Sequence, residues 1–153
     1  MSHASFLKFA LAIALLSTAI ALGAALAHLF ELPNKIQLSR DDYFVVQSIY
    51  SGWDRLAFVL AVQLIAIVAV IVLSQNDRDV RIFGWIALVC LAAAQALFWT
   101  FTYPANVATD NWTTIPVNWQ TLRQRWEYSH AAGAICQLGS MISLVLAALV
   151  RRA

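Results

Sequence analysis

Charge is what this sequence lacks. Of 153 residues only 12% are Asp, Glu, Lys or Arg, while 61% are hydrophobic. A soluble domain carries nearly a quarter charged residues, so most of this chain calls for an apolar solvent. The scarcity is also local. Segments 56–73, 82–101 and 131–150 hold no charge at all, and 6–29 holds only Lys8 near its start and His28 near its end. Each is about 18–24 residues, enough at about 1.5 Å per residue to cross a hydrocarbon layer of roughly 30 Å. No basic stripe is present, which argues against nucleic acid as a partner; Lys and Arg stand at the ends of the apolar runs. The two cysteines, Cys90 and Cys136, fall inside apolar runs with no C-x-x-C, so a thiol–disulfide relay has no attacking pair and inert buried thiols are expected. No charge or proline interrupts the central runs and no internal repeat occurs, which disfavours a transporter.

What remains is an all-α fold: a four-helix transmembrane bundle with helical extensions on the outer side. Residues 1–153 form a single integral membrane domain in the lipid bilayer, with spans at about 6–29, 56–73, 82–101 and 128–150. The second and third spans are joined by the short polar turn 74–81. The other connections, 30–55 and 102–125, are long and lie together on the opposite side. Ser39 with Asp42 reads as a capping-box-like helix start, and Thr114 with Pro116 as a second start leading into the last span. Lys8, Arg78, Arg81, Arg151 and Arg152 face one side; Lys35, Arg40, Arg55, Arg123 and Arg125 face the other. The first group sits in short tails and a short loop, where the positive-inside rule acts most strongly. Both termini are therefore expected in the cytoplasm of a multi-pass protein of the bacterial inner membrane. Lys8, the first apolar run and Ala25-Leu26-Ala27 also resemble a cleavable secretory signal, which would leave His28 first; the length of the run and its single lysine weigh against that.

The outer end collects the chemistry. Trp53, Trp99, Trp112, Trp119, Trp126 and all four tyrosines belong to it, against Trp85 alone at the inner end. An interfacial belt explains such residues, but a belt decorates both faces, so a covered aromatic pocket fits the imbalance better. The first span ends in His28-Leu29-Phe30-Glu31 and the last begins at Glu127-Tyr128-Ser129-His130. Residues three apart share a helix face, so His28, Glu31, Glu127 and His130 are a candidate set for iron, zinc or manganese. Only Asp54 stands in for the further carboxylates of a di-iron bundle. His28 and His130 are equally a candidate pair of axial haem ligands. The plainer alternatives are ordinary interfacial polar residues, with Glu127 paired to Arg123 one turn earlier, and cofactor-free acid–base chemistry. Deeper in the spans, Gln63, Gln95 and Gln137 are either interhelical glue or a pocket floor. The alanine-rich first span is built for close packing.

Three strings carry a family resemblance: His28-Leu-Phe-Glu31-Leu-Pro33-Asn34-Lys35; Trp99-Thr-Phe-Thr-Tyr-Pro104-Ala-Asn106; and Asn118-Trp-Gln-Thr-Leu-Arg123-Gln-Arg-Trp126-Glu-Tyr-Ser-His130. They resemble a family of small four-span membrane proteins that includes the anthrone oxygenases of polyketide pathways. The resemblance implies a membrane oxidoreductase acting on a flat, hydrophobic, phenolic molecule, with no established cofactor, and it points to Asn118, Arg123, Trp126 and His130. His28 and Glu31 are not assigned by that enzyme subgroup. The residues themselves allow a matching mechanism: His130, oriented by Glu127, as base; Arg123 stabilising an oxyanion; Asn118 or Asn106 positioning it; Trp126, Trp99 and Tyr50 holding the ring; dioxygen meeting the carbanion. The alternative is a non-enzymatic membrane subunit or binding module that docks a partner protein or a second copy, with or without a metal ion or haem at His28 and His130.

Overall fold

A computed structural model describes residues 2–151, so Arg152 lies outside the described residues. The chain is 85% helical, and no strand occurs among the described residues. Helix α1 spans His3–Lys35, α2 Arg40–Gln47, α3 Leu56–Leu73, α4 Arg78–Leu97, α5 Tyr103–Ala108 and α6 Trp119–Val150. Short 3-10 turns at Ser48–Tyr50 and Trp53–Arg55 connect α2 to α3, and a π-helical turn at Phe98–Thr102 carries α4 into α5. Four of the resulting rods are long and apolar enough to cross a membrane, and only 22–39% of their apolar windows is buried inside the bundle. The remaining apolar faces present Phe9, Leu16, Phe58, Ile65, Val89 and Ile135 outward. A polar solvent would leave that surface uncompensated, so this is a multi-pass membrane protein.

The helices form a closed square in which α1 packs on α3 and α6, and α4 packs on α3 and α6. On α1 the buried stripe runs Leu7, Leu11, Ala14, Thr18, Ala21, His28 and Lys35, in steps of three, four or seven residues. That is the spacing of one helix face, so the small seam that seats α1 leads straight to two polar side chains. The half of the bundle nearest the termini is mainly apolar, with Leu7, Leu11, Ile67, Val70, Val80, Leu91 and Leu144 in one cluster and only small hydroxyl side chains such as Ser17, Ser140 and Ser143 buried beside it. Gly84 permits close approach of α3 and α4, because a Cβ there would lie 2.9 Å from Cγ1 of Ile71. At mid-depth Gln63 and Gln137 exchange amide hydrogen bonds of 2.9 and 3.4 Å. Pairing satisfies groups that hydrocarbon would leave bare, which for these two is the role of interhelical glue rather than a pocket floor. Gln95 is half-buried and makes no hydrogen bond to either among the described residues.

The structure differs from expectation mainly in where helices begin and end. Helix α1 runs through Pro33 to Lys35, so the first long connection is shorter than 30–55 suggests. Ser39 caps α2 as expected, accepting from the Asp42 amide at 3.3 Å and donating to its carboxylate at 2.6 Å. Thr114 and Pro116 do not start a helix. The Pro116 carbonyl instead accepts from the Trp119 amide at 3.1 Å, a turn that delays α6 until Trp119. Both cysteines are free thiols, half-buried within the bundle.

Candidate functional site

The site lies at the end of the bundle opposite the termini, between α1 and α6 and under the 36–55 connection. Its centre is Lys35. The ammonium is 2.9 Å from Oε1 of Glu127 and donates to the Tyr50 hydroxyl at 3.0 Å and to Oε1 of Gln47 at 3.5 Å. Glu127 is fully buried. It also accepts from the Tyr43 hydroxyl at 2.9 Å, which in turn accepts from the Gln47 amide at 2.6 Å. Tyr50 donates onward to Glu31. Lys35 lies 4.5 Å from the ring centroids of both Tyr50 and Trp126, so aromatic faces enclose the charge. Burial comes first, and the carboxylates of Glu127 and Glu31 second, in raising the Tyr43 and Tyr50 hydroxyls above the ordinary tyrosine range. Both therefore stay protonated and act as donors.

Directly beneath, His28 and His130 stack with ring centroids 4.1 Å apart and planes inclined by 28°. Trp126 packs on His130 at 4.2 Å and meets His28 edge-on at 5.1 Å; Tyr50 and Trp53 close the remaining sides of His28 at 4.6 and 5.4 Å. Trp126 is itself held by Asn106, whose Oδ1 accepts from the indoles of Trp126 at 2.8 Å and Trp112 at 3.0 Å. Asn106 can do so because the chain after α5 turns sharply. Asp110, Asn111 and Trp112 all have positive φ, of 46°, 52° and 66°. A tryptophan in that region is strained, and the strain is held by bonds from the Asn111 amide to the Asn106 carbonyl and from the Trp112 amide to the Thr109 hydroxyl.

Several expected partnerships are different in the structure. Glu127 pairs with Lys35 rather than with Arg123 or His130. Arg123 instead donates to the Leu38 carbonyl at 2.8 Å and lies over the rings of Trp119 and Tyr43, so it pins the cap instead of facing the imidazoles. Glu31 is engaged by Tyr50. The four expected metal ligands thus share one cluster without aiming at a common point, and among the described residues no three His, Cys, Asp or Glu side chains are placed to hold a metal ion. Nor do the histidines fit a haem. Imidazole lone pairs lie in the ring plane, whereas these rings meet face to face with no room for a porphyrin between them. Asn118 is exposed at the start of α6 and makes no capping bond, and Asp54 is exposed too. Trp99 is 59% exposed and packs with Phe98 and Tyr103. Of the expected residues, His28, Glu31, Tyr50, Trp126, Glu127 and His130 come together, with Asn106 as their brace.

No family model, curated protein or solved structure matches this chain.

Lys35, Tyr43 and Gln47 are the site residues not expected from sequence. Lys35 was readable as only a flanking charge, yet it follows His28 by seven residues and so shares its face once α1 passes Pro33. Two atoms at the centre are left over. Oε2 of Glu127 and Nδ1 of His28 are buried without any hydrogen-bond partner. An unsatisfied buried polar atom costs about 1–3 kcal/mol, so two in one cluster call for an explanation beyond packing. The clefts of about 430 and 220 Å³ lie at the other end, near Arg78 and Arg151 and near Lys8, away from this chemistry.

Proposed function

We propose that this protein is a membrane oxidoreductase of the oxygenase type, acting on a flat, hydrophobic, phenolic molecule at the outer end of the bundle, with both termini in the cytoplasm. The observation that carries the reading is one assembly: a buried Lys–Glu pair and two stacked imidazoles beneath aromatic rings, with Glu127 Oε2 and His28 Nδ1 buried and unpartnered. The family resemblance of the three sequence strings supports the same substrate class.

The roles differ from those the sequence suggested. Nδ1 of His28, a buried imidazole nitrogen with no hydrogen-bond partner, accepts a proton from an activated ring carbon. The electron pair stays on the ring as a carbanion conjugated to an oxyanion, and Lys35, not Arg123, stabilises that oxygen. Dioxygen is the oxidant: it takes the electrons and forms a C–OOH bond on protonation. Cleavage of the O–O bond with loss of the second hydrogen from carbon then leaves a ketone. In sum a methylene and dioxygen become a carbonyl and water, with no further reductant.

Dioxygen uptake on a hydroxylated tricyclic ketone with an activated methylene tests the reading, using protein in mild detergent. His28→Ala should lower the rate by about 100-fold or more, the range typical of losing a general base. Equal uptake by wild type, His28→Ala and empty micelles would sink it.

A second reading, a non-enzymatic subunit that docks another membrane protein, is favoured by a separate observation. Val45, Ile49, Val107 and Val117 are exposed on the segments that cover the outer end. Cross-linking from these positions in native membranes to one defined partner, together with no uptake activity, would favour it.

A further inference from the structure

We propose that the Tyr50 side chain occupies the subsite for the substrate's phenolic ring, and that the ligand binds by displacing it. The inference rests on the phenolic reading above and adds where the ring goes. Tyr50 is itself a phenol bound as a ligand would be. Its ring lies on His28 at 4.6 Å and against Trp53 and Trp126 at 5.0 and 5.5 Å. Its hydroxyl accepts from Lys35 at 3.0 Å and donates to Glu31. The slot therefore recognises a six-membered ring by its faces and a hydroxyl by a cation on one side and a carboxylate on the other.

Two features make Tyr50 a removable occupant rather than a wall. It is half-buried, whereas Tyr43, which bonds the same Glu127–Lys35 pair, is fully buried. It also stands two residues before Gly52, whose φ is 84° and whose added Cβ would approach only Cζ of Arg55, at 4.0 Å. The turn around Gly52 is closed by local bonds alone, Ser51 amide to Ser48 carbonyl and Arg55 amide to Gly52 carbonyl. With Tyr50 swung out, His28, Lys35 and Glu31 line an open slot of one ring's width. The ligand class is a phenol substituted para to its hydroxyl, because the Tyr50 Cβ marks the direction in which the slot opens.

The experiment measures 4-methylphenol binding by tryptophan fluorescence in mild detergent, with 4-methylanisole as the probe lacking the hydroxyl hydrogen. Tyr50→Ala should bind 4-methylphenol about tenfold tighter than wild type, because no closed state competes. Tyr50→Phe, which keeps the ring but loses the anchor, should bind a few-fold tighter, and 4-methylanisole should bind Tyr50→Ala at least fivefold more weakly than the phenol. In wild type labelled with 3-fluorotyrosine, saturation with 4-methylphenol should move the Tyr50 resonance, assigned by its loss in Tyr50→Phe, to a solvent-exposed shift while Tyr43 stays. Binding by Tyr50→Phe and Tyr50→Ala that is equal to or weaker than wild type overturns the displacement while leaving the phenolic reading standing. If no folded form binds any phenol, the phenolic reading falls, and this inference with it.

Discussion

Replacing Lys35 with methionine keeps the four-atom stem and removes the charge, and its cost follows from what is left behind. The Glu127 carboxylate stays fully buried, with Tyr43 as its one remaining donor and Oε2 still bare. The Tyr50 hydroxyl and Gln47 carbonyl lose a donor in the same step. Breaking a buried ion pair by deleting one partner costs about 3–5 kcal/mol, much more than an exposed pair is worth. Glu127→Leu leaves the ammonium facing aromatic rings and should cost a similar amount. The double variant leaves no uncompensated charge on either side, so it should recover about 2 kcal/mol or more relative to the sum of the singles. Reversible unfolding in mixed micelles, followed by far-UV circular dichroism, measures all four corners of this cycle. Costs below about 1 kcal/mol for each single, adding without coupling, would refute the argument, because only a solvated pair behaves that way.

Three further outcomes follow from the packing. Gly84→Ala should destabilise the bundle by about 1–3 kcal/mol, because Ile71 Cγ1 would lie 2.9 Å from the new methyl; unfolding in the same micelles checks it. Asn106→Leu strips two indoles of their acceptor and should cost about 1–3 kcal/mol, with a change in Trp emission that Asn118→Ala, at an exposed position, does not produce. Tyr43 and Tyr50 have hydroxyls raised in the folded protein, so they hold their protons where the unfolded chain, with an ordinary value of about 10, has lost them. The folded state then binds more protons, and stability is full below about pH 10 and falls as pH rises above it. Tyr43→Phe should flatten that alkaline decline, as read from unfolding measured across the range.

Which parts of the fold were legible depended on how local their cause is. The spans follow from uninterrupted apolar length, and the Ser39 cap from two side chains three residues apart, so both were readable. The reach of α1 was not, because the apolar run that defines the span ends near Leu29. The helix continues past Pro33 to Lys35, with the Ile36 amide still bonding the Leu32 carbonyl at 3.0 Å. The late start of α6 depends on a turn at Pro116 that no periodicity announces.

The site shows the same division more sharply. That His28 and His130 meet follows from two antiparallel helices sharing a depth, which residue numbers alone reveal. Their partners do not follow. Sequence spacing offers Glu127 a neighbour on its own helix, Arg123 one turn away, but a side chain four residues distant is only a candidate among all that surround it. Arg123 is drawn away by the Leu38 carbonyl and the Trp119 ring, and the cap it pins brings Tyr43, Gln47 and Tyr50 down onto Lys35. Contacts between residues 84 positions apart, such as Tyr43 with Glu127, belong to the tertiary fold and leave no local signature. The same rearrangement turns an expected ring of ligands into a filled cluster. With Glu31 taken by Tyr50 and Glu127 by Lys35, the fully buried atoms left unpaired at the centre include Nδ1 of His28 and Oε2 of Glu127. An imidazole and an ammonium then lie within one aromatic cover, and under the proposed reading a ligand reaches them only by displacing Tyr50.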